Sequence, residues 1–209
     1  MIHKDHMISG VILAAGRSTR MGQVKQLLHF RGQTILGRIV ENAFKSSLQE
    51  IIVVLGHAAQ QIQQTVDLHR VKVVVNEHYD LGQSTSIKAG LAEVSDQSAG
   101  VMFILGDQPL IEVKVIDALI EGYRQDRAWL VIPTWRGRRG NPVLIARSLF
   151  PRLNTLIGDP GARVLFEEYA KQIKEIEVEN DSIHFDLDTW HDYTELKKRE
   201  GATPPNRCG

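Results

Sequence analysis

Successive backbone N–H groups in a turn of small residues can grip phosphate oxygens, and cationic side chains just beyond the turn can neutralise them. The stretch Leu13-Ala14-Ala15-Gly16-Arg17-Ser18-Thr19-Arg20-Met21-Gly22, with Lys25 close behind, has that composition. Leu13, Ala14, Ala15 and Gly16 would let a ligand approach the backbone, while Arg20 and Lys25 would supply fixed positive charge. The stretch is neither a P-loop, since no G-x-x-x-x-G-K-[ST] is present, nor a G-x-G-x-x-G dinucleotide turn. On composition alone, an ordinary strand-to-helix loop carrying surface cations fits equally well.

A carboxylate that could complement such a loop lies in Gly106-Asp107-Gln108-Pro109, directly after the apolar run Val101–Leu105. Mg²⁺ takes hard oxygen ligands, few of them from protein, so one well-placed Asp can anchor it. Alone, a G-D-x-P tetrapeptide is more often a turn than a metal site. The segment Asn76 to Ser86 follows another apolar run and contains Gly82, Gln83 and Ser84 where a helix should begin. Its amides suit an anion, and Ser84 equally suits an N-cap.

Taken together, L-A-A-G-x-S-x-R-M-G-x-x-K from Leu13 to Lys25 and G-D-x-P at Gly106–Pro109 resemble the MobA-like nucleotidyltransferases, and most nearly the molybdenum cofactor cytidylyltransferase branch. The resemblance runs from about Ser9 to Tyr193 and keeps the family's motif order. It implies that Leu13, Ala14, Ala15, Gly16, Arg20, Lys25 and Asp107 contact the nucleotide, and that G-x-S-x-S (Gly82, Ser84, Ser86), Asn76 and Gly56 line the nucleoside pocket. His57 beside Gly56 is as readily a simple loop histidine. Related guanylyltransferases carry L-A-G-G where this chain has Ala15, which implies CTP over GTP. A Cβ at that position would narrow the base pocket against a purine.

Arg139-Gly140-Asn141-Pro142 and Gly158-Asp159-Pro160-Gly161-Ala162-Arg163 resemble the family's R-G-x-P-V and G-D-x-G-A-R elements, with Asn141 where the family commonly has His. The resemblance makes Arg139, Asn141 and Arg163 acceptor contacts; solvated surface arginines are the plain alternative. Asp186-Leu187-Asp188-Thr189 resembles D-I-D-T, which makes Asp188 the second metal ligand with Asp186 as runner-up. An N-cap at Asp188 or Thr189 explains the same residues equally well. Trp190 and His191 depart from the family pattern.

The implied reaction is Mg²⁺-dependent transfer of CMP from CTP to the terminal phosphate of molybdenum-loaded molybdopterin, releasing pyrophosphate, with a molybdenum hydroxylase as recipient of the product. Asp107 and Asp188 would hold Mg²⁺; Arg20 and Lys25 would hold the β- and γ-phosphates. Three alternatives share parts of this pattern: a molybdopterin guanylyltransferase, a sugar-phosphate nucleotidyltransferase of the same fold, and a non-catalytic molybdenum-cofactor binding factor.

These residues need a scaffold that brings loops after separate strands to one edge. The runs Gly10–Ala14, Ile51–Leu55, Val71–Val75, Val101–Leu105 and Trp129–Ile132 are rich in Val, Ile and Leu and do not alternate with polar residues, as expected of strands buried on both faces. Between them, Thr34–Phe44, Ser84–Val94 and Val113–Tyr123 carry apolar stripes at helical spacing. Strand and helix in alternation predict a Rossmann-like, doubly wound α/β fold with a mostly parallel sheet. Asn141–Ala146 reads as a strand that need not be parallel, while Asp159–Tyr169 and Thr189–Glu200 read as helices. Residues 1–200 are expected to form one nucleotidyltransferase domain, and Gly201–Gly209 a disordered tail.

Of the 209 residues, 43% are hydrophobic and 24% charged, with 25 Lys plus Arg against 25 Asp plus Glu. A net charge of zero gives no support to a nucleic-acid or membrane-surface partner. Cys208 is the sole cysteine, so no disulfide framework or thiolate metal site can form within the chain. No apolar run approaches the roughly 20 residues needed to span a bilayer, and Met1–His6 has no apolar core of a signal peptide, so a soluble cytoplasmic protein is expected.

Overall fold

The computed structural model describes residues 7–159 and 161–200. The tail expected at Gly201–Gly209 lies outside them. In chain order the elements are β1 (Ile8–Ala14), β2 (His29–Phe30), β3 (Gln33–Thr34), α1 (Ile35–Lys45), β4 (Glu50–Leu55), α2 (Ala59–Thr65), β5 (Lys72–Val75), α3 (Gln83–Ala92), β6 (Gly100–Leu105) and α4 (Val113–Asp126). They continue with β7 (Leu130–Trp135), β8 (Arg138–Arg139), β9 (Val143–Ala146), α5 (Phe150–Leu153), α6 (Val164–Glu168), β10 (Ile173–Glu177) and α7 (Trp190–Glu200).

The main sheet has the order β10-β7-β9-β6-β1-β4-β5, with β8 paired to β7. β1 is parallel to β4 and β6, β4 to β5, and β10 to β7. β9 runs antiparallel to both β6 and β7. The fold is therefore mixed α/β with a mostly parallel, Rossmann-like sheet flanked by helices.

Residues of the inner strands divide between two cores, which is why their runs show no polar alternation; β5, expected to be buried on both faces, lies at the edge of the sheet and leaves Val75 exposed. Ile12, Val53, Met102 and Ile104 face a cluster completed by Leu36, Ile39, Ile116 and Leu119 from α1 and α4. Their neighbours Val11, Ile52, Val54 and Phe103 face a second cluster with Ile87 and Leu91 of α3. α1 starts where Thr34 Oγ1 accepts the Gly37 N–H at 3.1 Å, one of the orphan donors at a helix start.

β7 runs past the expected end at Ile132, through Pro133 to Trp135. The Pro133 carbonyl accepts the Gly140 N–H at 2.9 Å, so its nitrogen faces the same side. There β9 pairs only with Leu130 and Val131 and β8 only from Thr134. The missing N–H falls in that gap and costs no ladder bond. The helix expected over Asp159–Tyr169 is shorter: a 3₁₀ turn at Gly161–Arg163 precedes α6, because Gly161 has φ +58° and interrupts right-handed winding.

Candidate active site

Chain connections run from β1 outward to β4 and β5, then cross back to β6 on the other side of β1. The strand order reverses between β1 and β6, and such switch points leave a crevice at the carboxyl ends of the strands. The loop after Ala14 and the carboxylate of Asp107 both emerge there. Gly106 N donates to Leu13 O at 2.9 Å and clamps the two loops together. A Cβ on Gly106 would lie 2.7 Å from Ala14 Cβ and 2.8 Å from Leu13 O, so only glycine permits this approach.

The crevice holds a cavity of about 460 Å³, ample for a small ligand. Leu13, Ala15, Gly16, Arg20, Lys25, Gly82, Ser86, Asp107 and Asp188 line it. Arg17, Tyr79, Asp80 and Asp159 line it as well, and none of these was singled out from the sequence. Arg17 sits over the Tyr79 ring at 5.4 Å, forming one wall. The loop turns at Ser18 (φ 53°) and Gly22 (φ 65°). Met21 N and Gly22 N both donate to Ser18 O, at 3.0 and 3.2 Å. Gln26, buried beneath the loop, donates from Nε2 to Ala14 O at 3.2 Å.

At the base of the cavity Lys25 Nζ lies 2.6 Å from Asp107 Oδ2 and 3.0 Å from Asp188 Oδ1. Arg20 Nη1 lies 3.2 Å from Asp188 Oδ2. Burial pulls the Lys25 ammonium down, but Asp107 and Asp188 outweigh it and hold the group above its ordinary value. Asp107 Oδ1 is buried and has no hydrogen-bond partner.

The choice between cap and cleft at residues 186–189 is decided by the hydrogen bonds. Thr189 caps α7: Asp192 N donates to Thr189 Oγ1 at 3.2 Å, and Asp192 Oδ2 accepts from Thr189 N at 2.7 Å. This reciprocal capping box leaves the Asp188 side chain free to face the cleft. Asp186 turns elsewhere, accepting from the buried Gln108 Nε2 at 2.7 Å. Burial, with the like charge of Asp107 next, raises the Asp186 carboxyl above its ordinary value. Leu187 N donates to Asp107 O at 2.9 Å, and Trp190 Nε1 donates to Met21 O at 3.1 Å. The departure from the family pattern at Trp190 thus ties α7 to the cation-bearing loop.

Other sequence candidates stand behind the cavity wall. Asn76 Nδ2 donates to Thr85 Oγ1 at 2.8 Å and Ser86 Oγ at 3.0 Å, and its Oδ1 accepts from His78 N at 3.0 Å. It clamps the turn into α3 and does not line the cavity. Gly56 lies beneath Tyr79, where a Cβ would come within 2.8 Å of the ring. His57 N donates to Ala15 O at 3.1 Å. The amides at the start of α3, expected to be open to an anion, are already engaged. Ser84 N donates to Gly158 O at 3.0 Å and Gln83 N to Asp159 Oδ1 at 3.3 Å. Ala14, Asn76, Ser84 and Gly56 therefore shape the site from behind it.

A second cavity of about 330 Å³ adjoins the first and shares Leu13, Gln83, Leu105 and Asp159 with it. Phe103, Ile87, Val143 and Phe166 make its apolar surface, and Asn141 and Arg163 its polar rim. Arg139 lines neither cavity. It sits on β8 with its guanidinium 2.7 Å from Glu175 Oε1, so the structure separates it from Asn141 and Arg163.

Two carboxylates that share one ammonium stand close enough to share one small cation, and the free oxygen of Asp107 is suitably hard. The described residues contain no cluster of three or more His, Cys, Asp or Glu placed to hold a metal. Mg²⁺ does not require one, because phosphates and water complete its shell.

Residues 10–173 match the MobA-like NTP transferase domain. The chain belongs to the MobA-like NTP transferase family. It is 31% identical over 189 residues to the nicotine blue oxidoreductase of Paenarthrobacter nicotinovorans, covering 87% of this chain and 92% of that protein. Identity to the molybdenum cofactor cytidylyltransferase of Escherichia coli (strain K12) is 29% over 199 residues, covering 92% and 96%. Among solved structures, Rv0371c from Mycobacterium tuberculosis H37Rv in complex with manganese superposes with a TM-score of 0.81 at 31% identity, over 92% of this chain and 98% of that one. The family match ends at residue 173, before the segment that brings Asp188 to the cleft. No helix among the described residues is long and apolar enough to cross a membrane.

Proposed function

We propose that this member of the family transfers CMP from CTP to the terminal phosphate of a molybdopterin-type acceptor and releases pyrophosphate. The observation that carries the transfer chemistry is the pairing of Lys25 with Asp107 and Asp188 at the base of a cavity edged by a small-residue loop. Both reactants are anions, so the protein must neutralise repulsion and align the phosphates; little covalent work is needed. Mg²⁺ held by Asp107 and Asp188 would supply Lewis acidity at the α-phosphate. The backbone at Leu13, Ala15 and Gly16 orients the nucleotide, and Arg20 and Lys25 stabilise the departing pyrophosphate. Asn141 and Arg163, on the polar rim of the adjoining cavity, suit the polar edge of the acceptor.

The choice of CTP and of molybdopterin rests on Ala15 and on the full-length similarity to the cytidylyltransferase. Oxidoreduction, named in the other full-length relative, is the second reading. Hydride transfer has no use for paired carboxylates beside a phosphate loop, so the geometry favours the transferase. The test is pyrophosphate release with Mg²⁺ and molybdenum cofactor, run separately with CTP, GTP, ATP and UTP. CTP-dependent release is expected. Asp107→Ala should lower it by about 100- to 1,000-fold or more, with circular dichroism unchanged. Release from GTP alone would overturn the base assignment. A folded Asp107→Ala variant that kept most of its activity would remove Asp107 from the metal.

A further inference from the structure

Both cations assigned to the triphosphate are paired with the carboxylates assigned to the metal. Lys25 Nζ touches Asp107 Oδ2 and Asp188 Oδ1, and Arg20 Nη1 touches Asp188 Oδ2. Of the four carboxylate oxygens, only Asp107 Oδ1 has no partner. The ammonium of Lys25 thus stands where one small cation would bridge Asp107 and Asp188.

We infer that Lys25 is an internal counter-ion that competes with a divalent cation arriving alone and yields its place only when a triphosphate arrives with the metal. The inference rests on the nucleotidyl-transfer reading. A lone divalent cation must displace a buried ammonium and leave it without a carboxylate, and stranding a buried charge is costly. A cation bound to a triphosphate brings the phosphate oxygens that Lys25 and Arg20 then take in exchange. Each buried charge keeps a partner throughout, so the exchange is electrostatically balanced. Lys25 is held at the right depth by its own 3₁₀ turn, Lys25–Leu27, and its backbone N–H points toward Ser18 Oγ at 3.4 Å. The consequence for the reaction is an order: nucleotide and metal enter together, and the site does not fill with metal beforehand.

The experiment is Mn²⁺ binding to the full chain, followed by the electron paramagnetic resonance of free Mn²⁺, with and without a non-hydrolysable CTP analogue. Lys25→Met should bind Mn²⁺ alone at least about tenfold more tightly than wild type, which corresponds to about 1.4 kcal/mol of competition. In the presence of the analogue the order should reverse, with wild type the tighter. Lys25→Gln, which keeps a donor without the charge, should move in the same direction and serves if Lys25→Met does not fold. Equal or weaker Mn²⁺ binding by the folded variants would overturn the exchange while leaving the transferase reading in place. Adding Asp107→Asn to the Lys25→Met chain should return Mn²⁺ to weak binding. Tight Mn²⁺ binding without Asp107 would overturn the metal site itself, and the inference with it.

Discussion

Ala15 shows how one methyl group can bear on substrate choice. The residue is buried, lines the cleft, and accepts from His57 N through its carbonyl at 3.1 Å. Its backbone is therefore fixed from outside, and a change of side chain alters the space in the cleft without releasing the loop. If the Cβ limits the room for the base, Ala15→Gly should shift the ratio of kcat/KM for CTP and GTP toward GTP. One methyl group in a pocket is worth about 1–3 kcal/mol, or roughly 10- to 200-fold. An unchanged ratio in steady-state assays would move the source of base selectivity to another wall, such as the one formed by Arg17 over Tyr79. At this scale the sequence was informative for Arg20, Lys25 and Asp107, because a loop after a buried strand in an open α/β sheet must reach the ligand edge. It was silent on the partnership of these residues. Lys25 lies 82 residues from Asp107 and 163 from Asp188 along the chain, and no local spacing encodes that contact. The resemblance already ranked Asp188 ahead of Asp186, but whether Asp188 caps α7 or faces the cleft shows only once Thr189 and Asp192 are seen to form the cap.

Elements were legible where burial leaves a mark on composition. β1, β4 and β6 are buried on both faces and read as unbroken apolar runs. α2 was missed because its stretch AQQIQQT buries only Ile62, too little for a helical stripe. β10 was missed because IKEIE, a partly exposed edge strand, has only two apolar residues, spaced three apart, which gives neither an apolar run nor a period of two. The placement of β9 between β6 and β7 depends on long-range pairing alone. At the amino ends of the strands, away from the site, Glu50 at the start of β4 joins several elements. It accepts from Ser9 Oγ of β1 at 2.6 Å, from Ser95 N at 3.0 Å and from Lys72 Nζ of β5 at 2.7 Å. Burial alone would raise the Glu50 carboxyl, but the bonds from Lys72, Ser9 and Ser95 outweigh it and hold the group below its ordinary value of 4.5. A depressed carboxyl contributes stability that is present above its unfolded value and lost as pH falls through its folded one. Glu50→Gln should therefore be less stable than wild type in urea at about pH 7, and should lose less on acidification to about pH 3. Parallel acid limbs for the two proteins would mean that this junction does not titrate with unfolding.

Across the whole molecule, the cations and paired carboxylates of the site come from three distant parts of the chain. Residues 13–26 supply the loop and its cations, 105–108 the first carboxylate, and 186–190 the second. They are joined by Gly106 N to Leu13 O, Leu187 N to Asp107 O and Trp190 Nε1 to Met21 O, at 2.9, 2.9 and 3.1 Å. The final segment enters from beyond the family match, so the last stretch of the fold is held to the rest partly through the site. A ligand that engages all three parts binds the folded chain and not the unfolded one, and stabilises it by about 2.7 kcal/mol at a hundredfold excess over Kd. For a chain of this size that is a rise in Tm of roughly 5–10 °C. Mg²⁺ with a non-hydrolysable CTP analogue should produce it, whereas Mg²⁺ alone should give little, because Lys25 already bridges the carboxylates. Asp188→Asn removes the charge contributed by the third part while leaving the Thr189 cap in place, and should lose most of the shift. Should Asp188→Asn melt with the full rise, the segment leading into α7 would be a structural strap and the nucleotide would be held by the first two parts alone.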